Sequence, residues 1–154
     1  MFKDMRRKDR QLSTDEAMEL LQNGKYGVMS VVSEDDYPYG VPLHYVMIDG
    51  KLYFHCSAFG GHKTDCLKYN PKISFTVLEP QEGMRCKSVI FFGTARPVSE
   101  KRVGILEKIV EKFVPEIAWE QAKNGIPFAK DNIEAYELTI EHLTAKVIDK
   151  PDGR

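Results

Sequence analysis

Several features that would restrict the class of this protein are scarce or missing in its sequence. The 154 residues include three cysteines, Cys56, Cys66 and Cys86, an odd number that argues against a disulfide framework. No apolar run follows the N-terminus as in a signal peptide, and no window approaches the apolar length that crosses a bilayer. We therefore expect free thiols, a cytoplasmic location and no membrane partner.

An excess of charge of either sign is also missing. Lys plus Arg number 22 and Asp plus Glu number 23, which gives a formal net charge of -1 at pH 7. This balance gives no global reason to expect a nucleic acid partner. The composition is ordinary for a globular protein, and the length fits a single domain, 1–154, with a short N-terminal arm, 1–12.

The pattern of apolar residues predicts strands with a few short helices. Ser13 with Glu16 three residues later forms a capping box, which predicts a helix that ends at Gly24. Further helices are predicted over 62–71, 99–115 and 116–125. Strands are predicted over 26–33, 39–48, 51–56, 72–79, 85–99 and 135–148. Since crossover helices do not alternate with these strands, the order predicts a mainly β (α+β) fold, a closed antiparallel barrel of six strands with peripheral helices.

Local details refine three of these elements. Pro42 cannot donate to a ladder, so the second strand is expected to lie at an edge or to be bulged. In the last strand the apolar residues change phase after Ile140, which predicts a bulge near His142. The helix over 99–115 is expected to bury one stripe of apolar residues: Val103, Leu106, Ile109, Val110 and Phe113.

The segment FHCSAFGGHK, residues 54–63, joins the end of a strand to a basic pair at a helix start. Its two glycines would let the backbone approach a ligand, and a helix start presents free N–H groups. Lys63 adds a full positive charge and Ser57 a hydroxyl group. This set suits a phosphate, and the alternative is a surface loop in which His62 and Lys63 are simply solvated.

Two other kinds of chemistry could use the same segment. His62 and Cys66 are four residues apart, so they share one helical face and could bind zinc. However, His55 and Cys56 are adjacent on a strand and point to opposite faces, so we expect no metal. A thiol nucleophile has no local signature here, and Cys66 and Cys86 are expected to pack as small hydrophobic residues.

Two strands offer further binding groups. YPYGVPLHYV, residues 37–46, is either an edge strand that closes a core or the wall of a flat, apolar cofactor site. RCKSVIFFGTAR, residues 85–96, opens with Arg85, Lys87 and Ser88. These residues are either solvated at a strand end or provide a second set of donors to an anionic ligand.

The order of these segments resembles a known family. YGVMSVVSEDDYPYGVPLHYV, KLYFHCSAFGGHK, YNPKISFTV and SVIFFGTAR look like the flavin-binding split barrel of the pyridoxamine 5'-phosphate oxidase-like superfamily. The phrases MRRKDRQLS, GHK and NPKISF resemble its Nim group, the 5-nitroimidazole resistance proteins. The resemblance covers roughly residues 5 to 148. It implies a six-stranded antiparallel split β-barrel, and a homodimer with two FMN sites at the subunit interface.

The resemblance also implies which residues bind the flavin: Val41, Pro42, Leu43, His44, Phe54, His55, Cys56, His62, Lys63, Lys87 and Ser88. The backbone of residues 41–44 would line the isoalloxazine ring, and residues 62–63 would hold the phosphate. Ser88, with Lys87 beside it, would often act from the partner subunit. In the Nim group the histidine that matches His62 is associated with the active site near the ring, so His62 is also the candidate catalytic residue and proton donor.

Two departures separate the chain from a true pyridoxamine phosphate oxidase. Val41 stands where that enzyme carries an arginine for the flavin phosphate, and the C-terminal substrate segment is missing. These departures argue against vitamin B6 oxidation. The resemblance implies an FMN-dependent oxidoreductase, with FAD as the second cofactor candidate and NADH or NADPH as electron donor. Its acceptor would be a small electron-poor molecule such as a nitroaromatic. The alternative is a flavin- or haem-binding carrier without a dedicated reaction.

Overall fold

The fold is taken from a computed structural model in which residues 1–148 are described; residues 149–154, the end of the predicted domain, lie outside them. The seven strands are β1 (Tyr26–Val32), β2 (Pro38–His44), β3 (Val46–Ile48), β4 (Lys51–Ser57), β5 (Lys72–Pro80), β6 (Cys86–Pro97) and β7 (Ile133–Ile148). The four helices are α1 (Thr14–Asn23), α2 (His62–Tyr69), α3 (Arg102–Phe113) and α4 (Trp119–Ala129). Single 3-10 turns cover Lys8–Arg10, Ser99–Lys101, Glu116–Ala118 and Lys130–Asn132.

All seven strands belong to one antiparallel sheet with the order β2-β1-β5-β6-β7-β4-β3. The first and last strands of this order, β2 and β3, are separated in the chain by Tyr45 alone. The two ends of the sheet must therefore approach each other, and the sheet curls into a half-barrel. This confirms the predicted mainly β (α+β) class and its antiparallel arrangement.

The prediction of six strands is wrong, because the segment expected as one strand, 39–48, forms β2 and β3. β2 pairs with β1, whereas β3 pairs with β4 at the other end of the sheet. The chain changes partner at Tyr45, which is fully buried and hydrogen-bonds to groups outside the sheet. Its hydroxyl donates to the Leu21 carbonyl at 2.6 Å, and its own carbonyl accepts from Lys112 Nζ at 2.9 Å.

The edge position predicted from Pro42 is confirmed, since β2 lies at the end of the strand order. The predicted bulge near His142 is also confirmed. Phe92 pairs with His142 and Gly93 with Ile140, so the intervening β7 residue has no partner on β6. Gly93 is required there, because a Cβ atom at this position would lie 1.8 Å from the backbone oxygen of Thr139.

Two apolar cores hold the helices on the sheet. The main core fills the half-barrel and includes Leu21, Met29, Leu52, Phe54, Phe75, Phe91 and Leu138. The second core lies under α3 and contains Val46, Tyr53, Val98, Ile105 and Ala135. The predicted stripe of the third helix is partly wrong, because Val103 is 42% exposed whereas Ile105 is 2% exposed. The first turn of the helix predicted over 99–115 is a 3-10 turn, Ser99–Lys101, and this changes which residues of α3 face the core.

One buried carboxylate links four parts of the chain beside the second core. Glu137 on β7 is 1% exposed and forms ion pairs with Lys51, Arg96 and Lys101, each at 3.0 or 3.1 Å. The Tyr53 hydroxyl donates to the same carboxylate at 2.8 Å. Burial alone would raise the pKa of Glu137, but the hydrogen bonds from these four side chains lower it to about 2.

Among residues 1–148, none of the helices combines the length and the apolar character needed to span a bilayer.

The capping box predicted for the first helix is present. The Ser13 hydroxyl accepts from the Glu16 backbone N–H at 3.1 Å, and the Ser13 N–H donates to the Glu16 carboxylate at 2.8 Å. The side chains of Ser13 and Glu16 therefore provide hydrogen-bond acceptors for backbone N–H groups at the start of α1.

Candidate functional site

Nine of the predicted positions lie on three elements, β2, β4 and the start of α2. Side-chain contacts show that these elements approach each other: the His62 ring at the start of α2 meets the Tyr39 ring of β2, and Lys63 Nζ lies 5.7 Å from the centroid of the Phe54 ring on β4. On β4, burial is the first cause that lowers the pKa of His55, and the positive charges of His44 and Lys63 lower it further. The curled sheet therefore brings residues that are distant in sequence near one another, and we call this group of residues the mouth: residues 41–44, 54–56 and 62–63.

β2 forms one wall of the mouth. Val41 is half-buried and Leu43 buried, so this face of the strand turns toward the barrel, whereas Pro42 and His44 are exposed on the outer face. Within residues 1–148, β2 pairs with β1 only, and its other edge is not covered by a strand. Backbone N–H and C=O groups along such an edge can hydrogen-bond to the rim of a ligand.

Aromatic rings surround His44 at the end of this wall. The ring centroids of His44 and Tyr26 are 4.7 Å apart, and those of His44 and Phe113 are 4.9 Å apart. The His44 and Phe113 rings meet edge to face. α3 therefore reaches the mouth through Phe113, a contact that the sequence pattern did not predict.

β4 forms the opposite wall. Phe54 is fully buried in the main core and stacks on Tyr136 with 5.2 Å between the ring centroids. Cys56 is half-buried, and burial raises the pKa of its thiol. Lys63 Nζ lies 5.7 Å from the centroid of the Phe54 ring. Because this lysine lies against the wall, its charge faces the same space as the apolar residues.

The loop between β4 and α2 has a backbone that favours glycine. Gly60 has a φ of 88° and Gly61 a φ of 154°, values that side-chain-bearing residues rarely adopt. Ser57 Oγ accepts a 3.2 Å hydrogen bond from the Phe59 N–H and orders the loop. Unlike α1, α2 begins without a side-chain cap. Its first N–H groups and Lys63 form a donor set that suits a phosphate.

His62 is the first residue of α2 and exposes its ring at the mouth. Its Nε2 atom lies 3.4 Å from Ser33 Oγ and 3.7 Å from Cys66 Sγ. The Tyr39 ring meets the His62 ring edge to face, with 4.6 Å between centroids. Sequence reasoning missed Ser33 and Tyr39, because nothing in their spacing connects them to residue 62.

Lys87 and Ser88 contact other groups within the chain. They are adjacent on β6 and point to opposite faces of the sheet. Lys87 lines a cavity with Glu16 and Glu79, whereas Ser88 lines a different one with Met5, Ile90 and Lys146. Within one chain, Lys87 and Ser88 therefore do not lie with the other nine predicted positions. That they contribute to the site of a partner subunit stays a prediction.

The metal interpretation gains no support from the geometry. The structure brings His62 and Cys66 together, but their neighbour Ser33 is a hydroxyl and not a typical zinc ligand. Over the described range 1–148, no three His, Cys, Asp or Glu side chains are arranged to hold a metal ion. The residues at the mouth instead combine apolar side chains, an open backbone edge and donors of the kind that bind phosphate.

The chain is similar to known proteins in sequence and in fold. A family model described as pyridoxamine 5'-phosphate oxidase matches residues 13–147. An uncharacterized protein of Rhizobium meliloti (strain 1021) is 37% identical over 59 residues, which is 38% of this chain and 38% of that protein. The match thus spans well under half of that relative.

Two crystal structures are similar in fold. One is a candidate 5-nitroimidazole antibiotic resistance protein of Bacteroides thetaiotaomicron, with a TM-score of 0.71 and 17% identity, covering 89% of this chain and 86% of that chain. The other is an FAD-binding protein of Mesorhizobium loti, with a TM-score of 0.66 and 23% identity, covering 91% of this chain and 98% of that chain. Identities this low show a shared fold.

Proposed function

Because the chain belongs to the pyridoxamine 5'-phosphate oxidase family, we propose that it is an FMN-binding oxidoreductase. It would pass electrons from NADH or NADPH to a small electron-poor acceptor. The observation that carries this proposal is the mouth itself, where β2, β4 and the uncapped start of α2 meet. FAD is the second cofactor candidate, since it shares the ring and the first phosphate, and the similar protein of Mesorhizobium loti binds FAD.

Each wall of the mouth has a task in this proposal. When bound, the flavin supplies the electron transfer between donor and acceptor. The open edge of β2 hydrogen-bonds to the rim of the ring, and the first turn of α2 holds the phosphate together with Lys63. Val41 stands where a pyridoxamine phosphate oxidase has an arginine, so the phosphate site relies more heavily on Lys63.

His62 is the proposed proton donor to the acceptor. Its ring is exposed at the mouth, so a small molecule can reach it beside the bound cofactor. Reduction of an electron-poor group requires protons as well as electrons, and an imidazole within reach can supply them. His44 and His55 are weaker candidates, since His44 packs between aromatic rings and burial lowers the pKa of His55.

A nitroaromatic is the acceptor class that we propose. The Nim-like phrases of the sequence and the likeness to the Bacteroides thetaiotaomicron protein support this choice. We also propose a cytoplasmic setting, because Cys56, Cys66 and Cys86 are all free thiols.

A homodimer completes the proposed site. The outer face of the sheet carries exposed apolar side chains on three neighbouring strands: Tyr26, Val28, Leu78, Ile90 and Phe92. Val28 and Ile90 belong to one cross-strand row through Thr76, so the patch is continuous. Ser88 lies on the same face, one cross-strand row away. Docking a second copy on this patch would bury it and would bring the partner's β6 toward the mouth.

Spectroscopy of the purified protein tests this proposal. We expect a yellow protein with flavin absorbance that NADH or NADPH bleaches, and that a nitroaromatic restores under anaerobic conditions. A flavin that is reduced but not reoxidised by the nitroaromatic would favour a carrier. A haem Soret band in place of flavin absorbance would contradict the proposed cofactor.

A further inference from the structure

A cluster of buried groups lies directly beneath the ring of His62. Ser33 follows β1, Cys66 lies one turn further along α2, and each is 2% exposed. Both approach the same atom of the imidazole, Nε2, at 3.4 Å and 3.7 Å. Their own atoms Ser33 Oγ and Cys66 Sγ are 3.9 Å apart. Both contacts are made through Nε2, which leaves Nδ1 as the ring nitrogen that takes no part in them.

The position of the Ser33 proton follows from Asp35. The pKa of Asp35 is lowered, first by a hydrogen bond with the Ser33 side chain and then by one from the Tyr37 backbone N–H. A carboxylate accepts and does not donate, so the Ser33 hydroxyl donates to Asp35. The lone pairs of Ser33 Oγ remain available, and they can accept a hydrogen bond from Nε2–H of His62.

The surrounding backbone keeps Ser33 in place. Its N–H donates to the Tyr37 carbonyl at 3.2 Å, and the Asp36 N–H donates to the Ser33 carbonyl at 3.0 Å. These two bonds close the turn after β1. The edge-on contact with Tyr39 limits rotation of the His62 ring from the other side. The imidazole thus contacts a residue whose backbone is held in an ordered turn.

We propose that Ser33, supported by Asp35, is a positioning residue that holds His62 with Nε2–H inward and Nδ1 outward. Nδ1 is then the atom that carries the transferred proton: the imidazolium donates it to the acceptor, the neutral Nε2–H ring is left, and solvent water returns a proton to Nδ1. The orientation of the ring is argued from Ser33, Cys66 and Asp35, whereas the role of Nδ1 rests on the proposed oxidoreductase function.

The ring orientation can be measured by NMR on the full-length protein labelled with 15N. Long-range correlations of the histidine rings report which nitrogen is protonated, and loss of one signal set in His62→Asn assigns His62. We expect the Nε2–H tautomer in the wild type at a pH where the ring is neutral. Ser33→Ala should shift the two nitrogen signals toward a mixture of tautomers, because Asp35 can no longer act through the hydroxyl. Ser33→Thr should restore the wild-type signals.

Thr94→Ala is the matched control, since it removes a half-buried hydroxyl on β6 away from this cluster. It should leave the His62 signals unchanged. Identical nitrogen shifts in the wild type and Ser33→Ala would overturn the proposal, as would an Nδ1–H tautomer in the wild type. Neither result depends on flavin, so failure of this inference is distinguishable from failure of the proposed function.

Turnover provides the second readout. With a nitroaromatic acceptor, Ser33→Ala should lower kcat about tenfold, part of what a positioned proton donor contributes, while KM for the acceptor stays the same. A changed tautomer with an unchanged kcat would overturn the assignment of Nδ1 as the proton-exchanging atom.

Discussion

The Tyr45 hydroxyl donates a 2.6 Å hydrogen bond to the carbonyl oxygen of Leu21, and both residues are fully buried. Leu21 lies in the last turn of α1, where carbonyl groups have no partner within the helix. Tyr45 is the residue at which the chain passes from one end of the sheet to the other. This one bond therefore fixes α1 at the point where the half-barrel closes.

Replacing Tyr45 with Phe removes only the hydroxyl and leaves the Leu21 carbonyl buried without a donor. We expect the free energy of unfolding to fall by about 1–3 kcal/mol. Urea denaturation at constant protein concentration measures this change. Tyr37→Phe, at an exposed tyrosine, is the control and should stay within about 0.5 kcal/mol of the wild type. Equal stability of both variants would show that the bond contributes nothing.

Substitution by alanine is expected to have opposite effects on stability at Gly93 and at Gly104. A Cβ at Gly93 meets the Thr139 backbone oxygen at 1.8 Å, so Gly93→Ala must force β6 and β7 apart at the bulge. We expect a loss of about 3 kcal/mol or more. A Cβ at Gly104 on α3 meets nothing, so Gly104→Ala should stabilise the protein by about 0.5–1 kcal/mol. Thermal unfolding of the two variants ranks them, and similar melting temperatures would contradict this prediction.

Glu137 makes the free energy of unfolding depend on pH in the acid range. Its folded pKa of about 2 lies below the ordinary value of 4.5, so the unfolded chain binds the proton more readily between these two pH values. The stabilisation is present above about pH 4.5 and is lost as the pH falls toward 2. Relative to Glu137→Gln, the wild type should lose up to about 3 kcal/mol across this window.

Urea denaturation at several pH values between 5 and 2.5 measures the acid dependence, with Glu107→Gln as the control. Glu107 is exposed on α3, and its replacement should keep the wild-type pH dependence. Parallel curves for the wild type and Glu137→Gln would mean that Glu137 titrates normally.

The proposed homodimer can be tested at Ile90, which is 38% exposed at the centre of the outer apolar patch. Ile90→Asp places a charge there and should convert the dimer to monomer in sedimentation velocity, since burying an unpaired carboxylate costs several kcal/mol. Val103→Asp alters a similarly exposed residue on α3 and should remain dimeric. A wild-type protein that sediments as a flavin-loaded monomer would refute the dimer.

Most of the fold could be predicted because its local signals agree with one another. The capping box at Ser13, the edge strand marked by Pro42 and the phase change near His142 each depend on residues close together in sequence. The break at Tyr45 had no such signal. It arises because Leu21 and Lys112, from two different helices, hydrogen-bond to this one residue.

The candidate site was predictable where backbone and sequence pattern determine it. The glycines before His62 indicated a helix start, and α2 begins there without a side-chain cap; the binding of a ligand at this start stays a prediction. The packing around His62 was not predictable, because Ser33 and Tyr39 reach it through the curl of the sheet. For the same reason the spacing of Lys51, Arg96 and Lys101 did not indicate a shared carboxylate.

Titration of the flavin-free protein with FMN, followed by quenching of flavin fluorescence, tests the central claim most directly. We expect saturation at one FMN per chain, and an affinity about ten- to a hundredfold weaker in Lys63→Ala, because a charge-assisted bond to the phosphate is lost. Lys68→Ala, an exposed lysine at the other end of α2, should bind FMN like the wild type. No saturable binding, or equal affinities for Lys63→Ala and the wild type, would contradict the proposed site.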